Sequence, residues 1–403
     1  MKEALKPTGE RRGRATSDPE VAEKLLADRV KELLAKRNRA ERLTGGVAQR
    51  DVPGLKAFAA AHLIAKAKAG KVTDNWLERT ENRLRLAVEF FGARRALASI
   101  EVPDVEGWLA WLQERPGRRA NGELSGGALR HYVNALSNMY RRAQAEHVVP
   151  PGYNPAAPML EKPTAKREEA RWLEVHEAAL LLESARTYKP KNPWAPQDGK
   201  PAERDPSIPF MYALIATFLL TGGRKAEVLG LEVGDINFQR NTVTFRPHEH
   251  RRLKTSTSHR TVPLQPQLKE ILRAHLRELG IAGGLLFPSP VRDGAMVVEL
   301  RKQLDAVAER AWWKPGEIRT KAFRHTYCGA RLQTLDAGAP ISPFTVAREM
   351  GHGGMALVNR VYGHLGTVRH RSEHVEYRAD MIRGIKDAEV RKRFSKRLRA
   401  VRA

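Results

Sequence analysis

Cysteine is almost absent: Cys328 is the only one in 403 residues. No intramolecular disulfide can form, nor any multi-cysteine zinc site, and a reducing, cytoplasmic setting is expected. Aromatic residues make up 6% of the chain, too few to favour a stacking platform for single strands. Long apolar runs are missing as well. The best candidate, residues 210–220, falls well short of the roughly 20 residues a membrane helix needs. The opening residues carry Lys2, Glu3, Lys6, Arg11, Arg12 and Arg14 with no apolar core, so no signal peptide is read there. No internal repeat appears at solenoid periods. Acidic residues are outnumbered, 46 against 71 Lys and Arg, which leaves a net charge of +25 and a pI near 10.4. Such an excess points to a polyanionic partner, nucleic acid foremost.

What is present falls into several stretches. Residues 1–52 form an extension whose one amphipathic helix starts at Ser17-Asp18-Pro19-Glu20. It is a candidate arm. Residues 53–150 carry four segments with apolar residues at helical spacing, which predicts a compact helical bundle with Asp104 as a cap. Its polar faces supply Arg79, Arg83, Arg130, His131 and Arg141 as candidate contacts to DNA phosphates. Pro150, Pro151, Pro155, Pro158 and Pro163 then predict a stiff linker over 151–170. Residues 171–380 read as a second, α-rich unit. Its strands are expected at 242–245 and 260–264, and the stretch between them is a basic hairpin with Arg251, Arg252 and Lys254. Arg251, Arg252 and Arg260 are further candidate DNA contacts. Residues 381–403 form a basic helix or tail. It is read as binding DNA or as docking Phe394 and Leu398 on a neighbouring subunit.

The densest chemistry lies in residues 320–365. Lys321, Arg324, His325, His352, Tyr362 and His364 fall within one short stretch of a very basic chain. Cutting a phosphodiester without a metal needs cations on the non-bridging oxygens. Two guanidiniums clamp those oxygens with a geometry lysine cannot copy. It also needs an in-line nucleophile and an acid for the leaving oxygen. A tyrosine hydroxyl, with a pKa of about 10, needs cationic surroundings to attack at neutral pH. The pairs His370/His374 and His248/His250 have no further ligand evident, so no metal site is expected. Tyr327 and Tyr377 are the rivals of Tyr362 as nucleophile. Tyr327 shares a helix with Arg324 and reads as core, and Tyr377 lies beyond the motif.

In these residues the chain resembles the tyrosine recombinases, the phage-integrase family of site-specific DNA recombinases. Thr221-Gly222-Gly223-Arg224-Lys225-Ala226-Glu227-Val228-Leu229-Gly230-Leu231 matches the family's first-arginine box. Lys254-Thr255, followed by Arg260-Thr261-Val262-Pro263-Leu264, matches the hairpin of the general-acid lysine. Arg324-His325-Thr326 matches the second-arginine box, and Gly351-His352-Gly353 the third. Tyr362, in Arg360-Val361-Tyr362-Gly363-His364-Leu365, falls where the nucleophile belongs. The resemblance implies catalytic roles for Arg224, Lys254, Lys321, Arg324, His352 and Tyr362, with Glu227 and His325 in support. One position departs from the commoner pattern: Lys321 stands where the second box usually has His. A charged Lys donates but cannot accept a proton.

The resemblance further implies a mainly α fold. A SAM-like core-binding bundle would precede an α-rich catalytic domain with a small antiparallel sheet. The implied activity is cleavage and rejoining of duplex DNA through a 3′-phosphotyrosine by a homotetramer, with no cofactor and no metal. Accessory DNA-bending proteins are admissible partners. The competing readings are a telomere resolvase, a topoisomerase-like nicking-closing enzyme, and a non-catalytic DNA-binding protein with a degenerate site.

Overall fold

The computed structural model describes residues 53–115, 124–157, 163, 171–190, 208–251, 258–356, 358–359 and 372–403. The expected helix near residue 17, Arg252, Lys254, Tyr362, His364 and His370 lie outside them. The chain divides into two compact units, residues 1–168 and 169–403, each with its own apolar cluster.

The first unit holds α1 (Leu55–Lys68), α2 (Asp74–Phe91), α3 (Val102–Glu114) and α4 (Gly126–Ala145). Local chemistry sets their ends. Thr73 caps α2 by accepting from the Trp76 N–H, and Gly92 ends it at φ 96°. Ser125 caps α4 through the Ala128 N–H. The cap of α3 is Glu101 and not Asp104. Asp104 sits one turn inside and accepts from the Glu101 N–H at 2.9 Å, the reciprocal bond of a capping box. The core is built from Leu84, Trp108, Leu112, Leu136, Met139 and Tyr140, all at most 2% exposed. Tyr140 satisfies its hydroxyl by donating to the Leu97 carbonyl. Part of the expected linker belongs to this unit. Asn154 and Ala156 are buried, and the Tyr153 hydroxyl donates to the Ile100 carbonyl at 2.7 Å.

The second unit is α-rich with a small sheet. It contains α5 (Val175–Arg186), α6 (Met211–Thr221) and the single turn α7 (Lys225–Leu229). The strands β1 (Ile236–Asn237), β2 (Thr242–Phe245) and β3 (Arg260–Pro263) follow, then α8 (Pro266–Leu279), α9 (Arg301–Arg310) and α10 (Thr320–Leu332). Last come β4 (Leu335–Asp336), β5 (Ala339–Pro340), α11 (Pro343–Glu349) and α12 (Ala388–Arg402). The strands pair antiparallel in the order β1-β2-β3, with Val243 opposite Val262 and Phe245 opposite Arg260. Helix α6 is apolar all round and buried on every side apart from Tyr212, as expected for a helix at the centre of a core.

Helix α12 is not left free for a neighbouring subunit. Phe394 is 2% exposed within this chain's own core, edge-on to His176 with ring centroids 4.5 Å apart. The Val401 carbonyl accepts from the Thr187 hydroxyl and from Arg310. The phenylalanine that looks like a docking residue in sequence is spent in cis. No described helix is long and apolar enough to cross a membrane.

Candidate active site

Arg224 stands at the N-terminus of α7, just after α6 turns out of the core. That turn requires glycine twice. Gly222 has φ 62°, and a Cβ there would lie 2.5 Å from Tyr327 Cδ1. A Cβ on Gly223 would lie 2.5 Å from Val228 Cγ2. Only chain without side chains fits between α6 and α7. The turn carries Arg224 across to three partners. Its guanidinium donates to Glu227 Oε1 at 2.6 Å, to Ser258 Oγ at 3.1 Å and to the Gly351 carbonyl at 3.2 Å.

Arg324 comes from the second turn of α10. It donates to the Gly222 carbonyl at 2.7 Å and to the Met350 carbonyl, and its Nη2 lies 3.1 Å from His352 Nε2. Residues 350–352 thus join the two arginines. Adjacent carbonyls of Met350 and Gly351 hold one guanidinium each, and His352 touches Arg324. Both arginines are half-buried. A guanidinium has five N–H groups. The bonds above use three on each arginine, so two on each have no partner among the described residues.

Beneath them lies Glu227, 3% exposed. It accepts from the Arg224 side chain and, at Oε2, from the Arg224 backbone N–H and from Arg260 at 2.8 Å. Burial pushes its carboxyl up. The hydrogen bond and charge of Arg260, with the bonds from Arg224, outweigh that and hold it at about 2. Arg260 also donates to the Ser258 and Glu349 carbonyls and lies 4.3 Å from the Phe245 ring centroid. Glu349 is anchored in turn by Arg331 and by the Tyr327 hydroxyl at 2.7 Å.

Three guanidiniums around one carboxylate leave this cluster net cationic. The effect shows on its members. Burial, then Arg224 and Arg260, lower Arg324 to about 9. Burial, then Arg324, Arg224 and Arg260, lower His352 to about 4. Burial, then Lys321 and Arg324, do the same to His325. His352 is therefore neutral near pH 7. Arg324 can only donate, so His352 Nε2 accepts and the ring hydrogen sits on Nδ1, which is buried with no partner among the described residues.

The structure thus brings together Arg224, Glu227, Arg324, His325 and His352, with Lys321 exposed on the first turn of α10. Two residues expected on DNA are placed elsewhere. The Arg251 side chain is fully buried, donating to Asp235, to the Glu227 carbonyl and to the Arg246 carbonyl. Arg260 is 8% exposed and bonded as above. Neither guanidinium can reach a phosphate, because each side chain is buried where it closes carbonyls and a carboxylate inside the fold. In the first unit Arg79, Arg130, His131 and Arg141 are exposed and Arg83 half-buried. Tyr377 is 1% exposed, its hydroxyl has no partner among the described residues, and burial pushes its pKa far up. Tyr327 is fully buried and bonded to Glu349, which raises it as well. Neither rival tyrosine is placed to act as a nucleophile. Among the described residues no group of His, Cys, Asp and Glu is arranged to hold a metal.

The sequence reading missed Ser258, Glu349 and Gln267. Ser258 steadies Arg224. Glu349 is the buried end of α11 and presents its carbonyl to Arg260. Gln267 bonds both the N–H and the carbonyl of Tyr377, holding the chain there like a strand partner. Only Glu349 had a signal, as an acidic residue beside apolar Met350 and one turn from Val346 on a helix.

Fold and site together define an α-rich enzyme domain with a cationic, anion-holding centre. Residues 202–368 match the phage integrase family. The second unit therefore carries a phage integrase domain over those residues. No curated protein matches the sequence. Among solved structures, the Tn1549 transposon integrase in complex with a circular intermediate DNA aligns with a TM-score of 0.57. It is 18% identical, over 77% of this chain and 95% of that one. A lambda integrase dimer bound to a COC′ core site gives 0.56 at 14% identity, over 83% of each chain. A lambda integrase tetramer bound to a Holliday junction gives 0.55 at 13%, again over 83% of each. At these identities the likeness is one of fold.

Proposed function

We propose that this chain cuts and rejoins duplex DNA at specific sites through a 3′-phosphotyrosine, integrating or excising a mobile element. The observation that carries the reading is the pair Arg224 and Arg324. They are half-buried, tied to neighbouring carbonyls of residues 350–351, and each has two N–H donors with no partner among the described residues. That arrangement suits the non-bridging oxygens of a phosphate whose negative charge grows in the transition state.

In the proposed reaction the phenolate of Tyr362 attacks the scissile phosphorus. The bond to the 5′ oxygen breaks, and Lys254 gives that oxygen its proton. Arg224, Arg324 and Lys321 donate to the phosphate, with Glu227 fixing Arg224 and neutral His352 steadying Arg324 by accepting from it. A 5′ hydroxyl from a partner duplex then attacks the phosphotyrosine and releases Tyr362. The ester keeps the energy of the broken bond, so neither ATP nor a metal is needed. Exposed Arg79, Arg130, His131 and Arg141 of the first unit are proposed to contact DNA phosphates. A homotetramer on two DNA sites follows from the need for a partner duplex. The DNA-bound relatives, one of them a tetramer on a Holliday junction, support that reading.

The nearest alternative is a nicking-closing enzyme of the same chemistry. A supercoiled plasmid with no recombination site separates the two. The recombinase reading expects no relaxation above a Tyr362→Phe control. Efficient relaxation that Tyr362→Phe abolishes would replace it with the topoisomerase-like activity.

A further inference from the structure

Helix α12 spends one side on the core and presents a very different one to solvent. At 100° per residue, Arg391, Lys392, Lys396 and Arg399 fall within an arc of about 140°. The arc lies opposite the buried Phe394 and Val401. All four are exposed, and none has an acidic partner among the described residues. Arg393 and Arg397 turn the other way, against Phe394, and Arg397 also lies over Trp312. The helix has one acidic residue, Glu389, in its first turn.

Helix stability does not explain this face. Lys392 and Lys396 are spaced i,i+4, and Lys396 and Arg399 i,i+3, so like charges are stacked where opposite ones would stabilise. Arg391 and Lys392 lie toward the N-terminal half, where the helix dipole favours acids. Only Arg399 and Arg402 occupy the end that favours cations. The face therefore costs the isolated helix stability, and an anionic partner would reverse that cost.

We infer that the Arg391–Lys392–Lys396–Arg399 face of α12 is a second, sequence-independent contact to the phosphate backbone of duplex DNA, separate from the reacting phosphate. The inference rests on the proposed action on DNA. The dimensions fit. The eight steps from Arg391 to Arg399, at about 1.5 Å rise each, span about 12 Å, a length over which duplex DNA carries about seven charges at one per ~1.7 Å. Asp387 caps the helix start, accepting from Glu389 and Val390 at 2.9 Å, and Phe394 and Val401 fix its rotation. The cations are thus held in place before DNA arrives, which lowers the ordering cost of contact.

The test uses the full chain with Arg391→Gln, Lys392→Gln, Lys396→Gln and Arg399→Gln together. Affinity for a long duplex is measured against salt, and covalent trapping on a nicked suicide duplex at saturating protein is measured in parallel. Four lost phosphate contacts lower the salt slope by about 3–4. Between 50 and 200 mM salt the wild type then loses about 100-fold more affinity than the variant. Trapping at saturation is unchanged. If the quadruple variant does not fold, Lys392→Gln with Lys396→Gln is expected to lower the slope by about 2. An unchanged slope overturns the inference. So does an unchanged slope with altered assembly, which would assign the face to an acidic partner or a second copy of the chain. Failure of the wild type to form an adduct on any duplex would sink the phosphotyrosine reading instead, and the slope would still report on α12.

Discussion

Glu227 holds the two arginines that lie on either side of it in space, and its acid titration gives that role a measurable form. Its folded pKa, about 2, lies below the ordinary glutamate value of 4.5. The folded state therefore gains stability that is complete above pH 4.5 and is lost as pH falls toward 2. The size is on the order of 3 kcal/mol. His352 acts in the same sense at higher pH. Its folded value of about 4 lies below 6.5, so protonation favours the unfolded chain as pH falls from 6.5 through 4. Denaturant unfolding followed across these windows should show Glu227→Gln flattening the lower limb and His352→Gln the upper one. An unaltered profile in Glu227→Gln would mean that its carboxylate is not held by Arg260 and Arg224.

Arg224, Arg324 and His352 were legible in sequence because each sits in a motif of fixed spacing. Arg251 and Arg260 were misread because charge alone says nothing of burial. For Arg260 the sign was there. In β3 it shares a face with Val262 across the period of two, and that face is the buried one. Arg251, in a turn, carried no such sign.

At the scale of elements, the join between α6 and α7 decides whether the first arginine reaches the second. Gly222 is left-handed and backs onto Tyr327, which itself bonds Glu349. Gly222→Ala should add both strain at φ 62° and a clash that moves Tyr327. A loss of at least 1–3 kcal/mol in unfolding free energy is expected. Adduct formation should fall as well, because the Gly222 carbonyl no longer meets Arg324. Unchanged unfolding would show that the turn has room to spare. The helices themselves were readable, since their apolar spacing is local. The Asp104 cap was not, because Glu101 and Asp104 share one capping box and both fit the role by type. Nor was the cis docking of Phe394, since spacing marks an apolar face without saying what covers it.

At the scale of the whole molecule, the chain divides into two units with separate cores. The first retains residues beyond 150 because Tyr153 and Asn154 have partners there. The site draws on segments around 224, 258–260, 324 and 349–352, which only the fold of the second unit unites. The central claim is the covalent link. The most direct measurement is mass spectrometry of the peptide joined to DNA after reaction with a nicked suicide duplex. The account predicts a 3′-phosphate linked to Tyr362, absent in Tyr362→Phe and strongly reduced in Arg224→Lys and Arg324→Lys. Attachment at another residue, or an adduct that survives Tyr362→Phe, would contradict it.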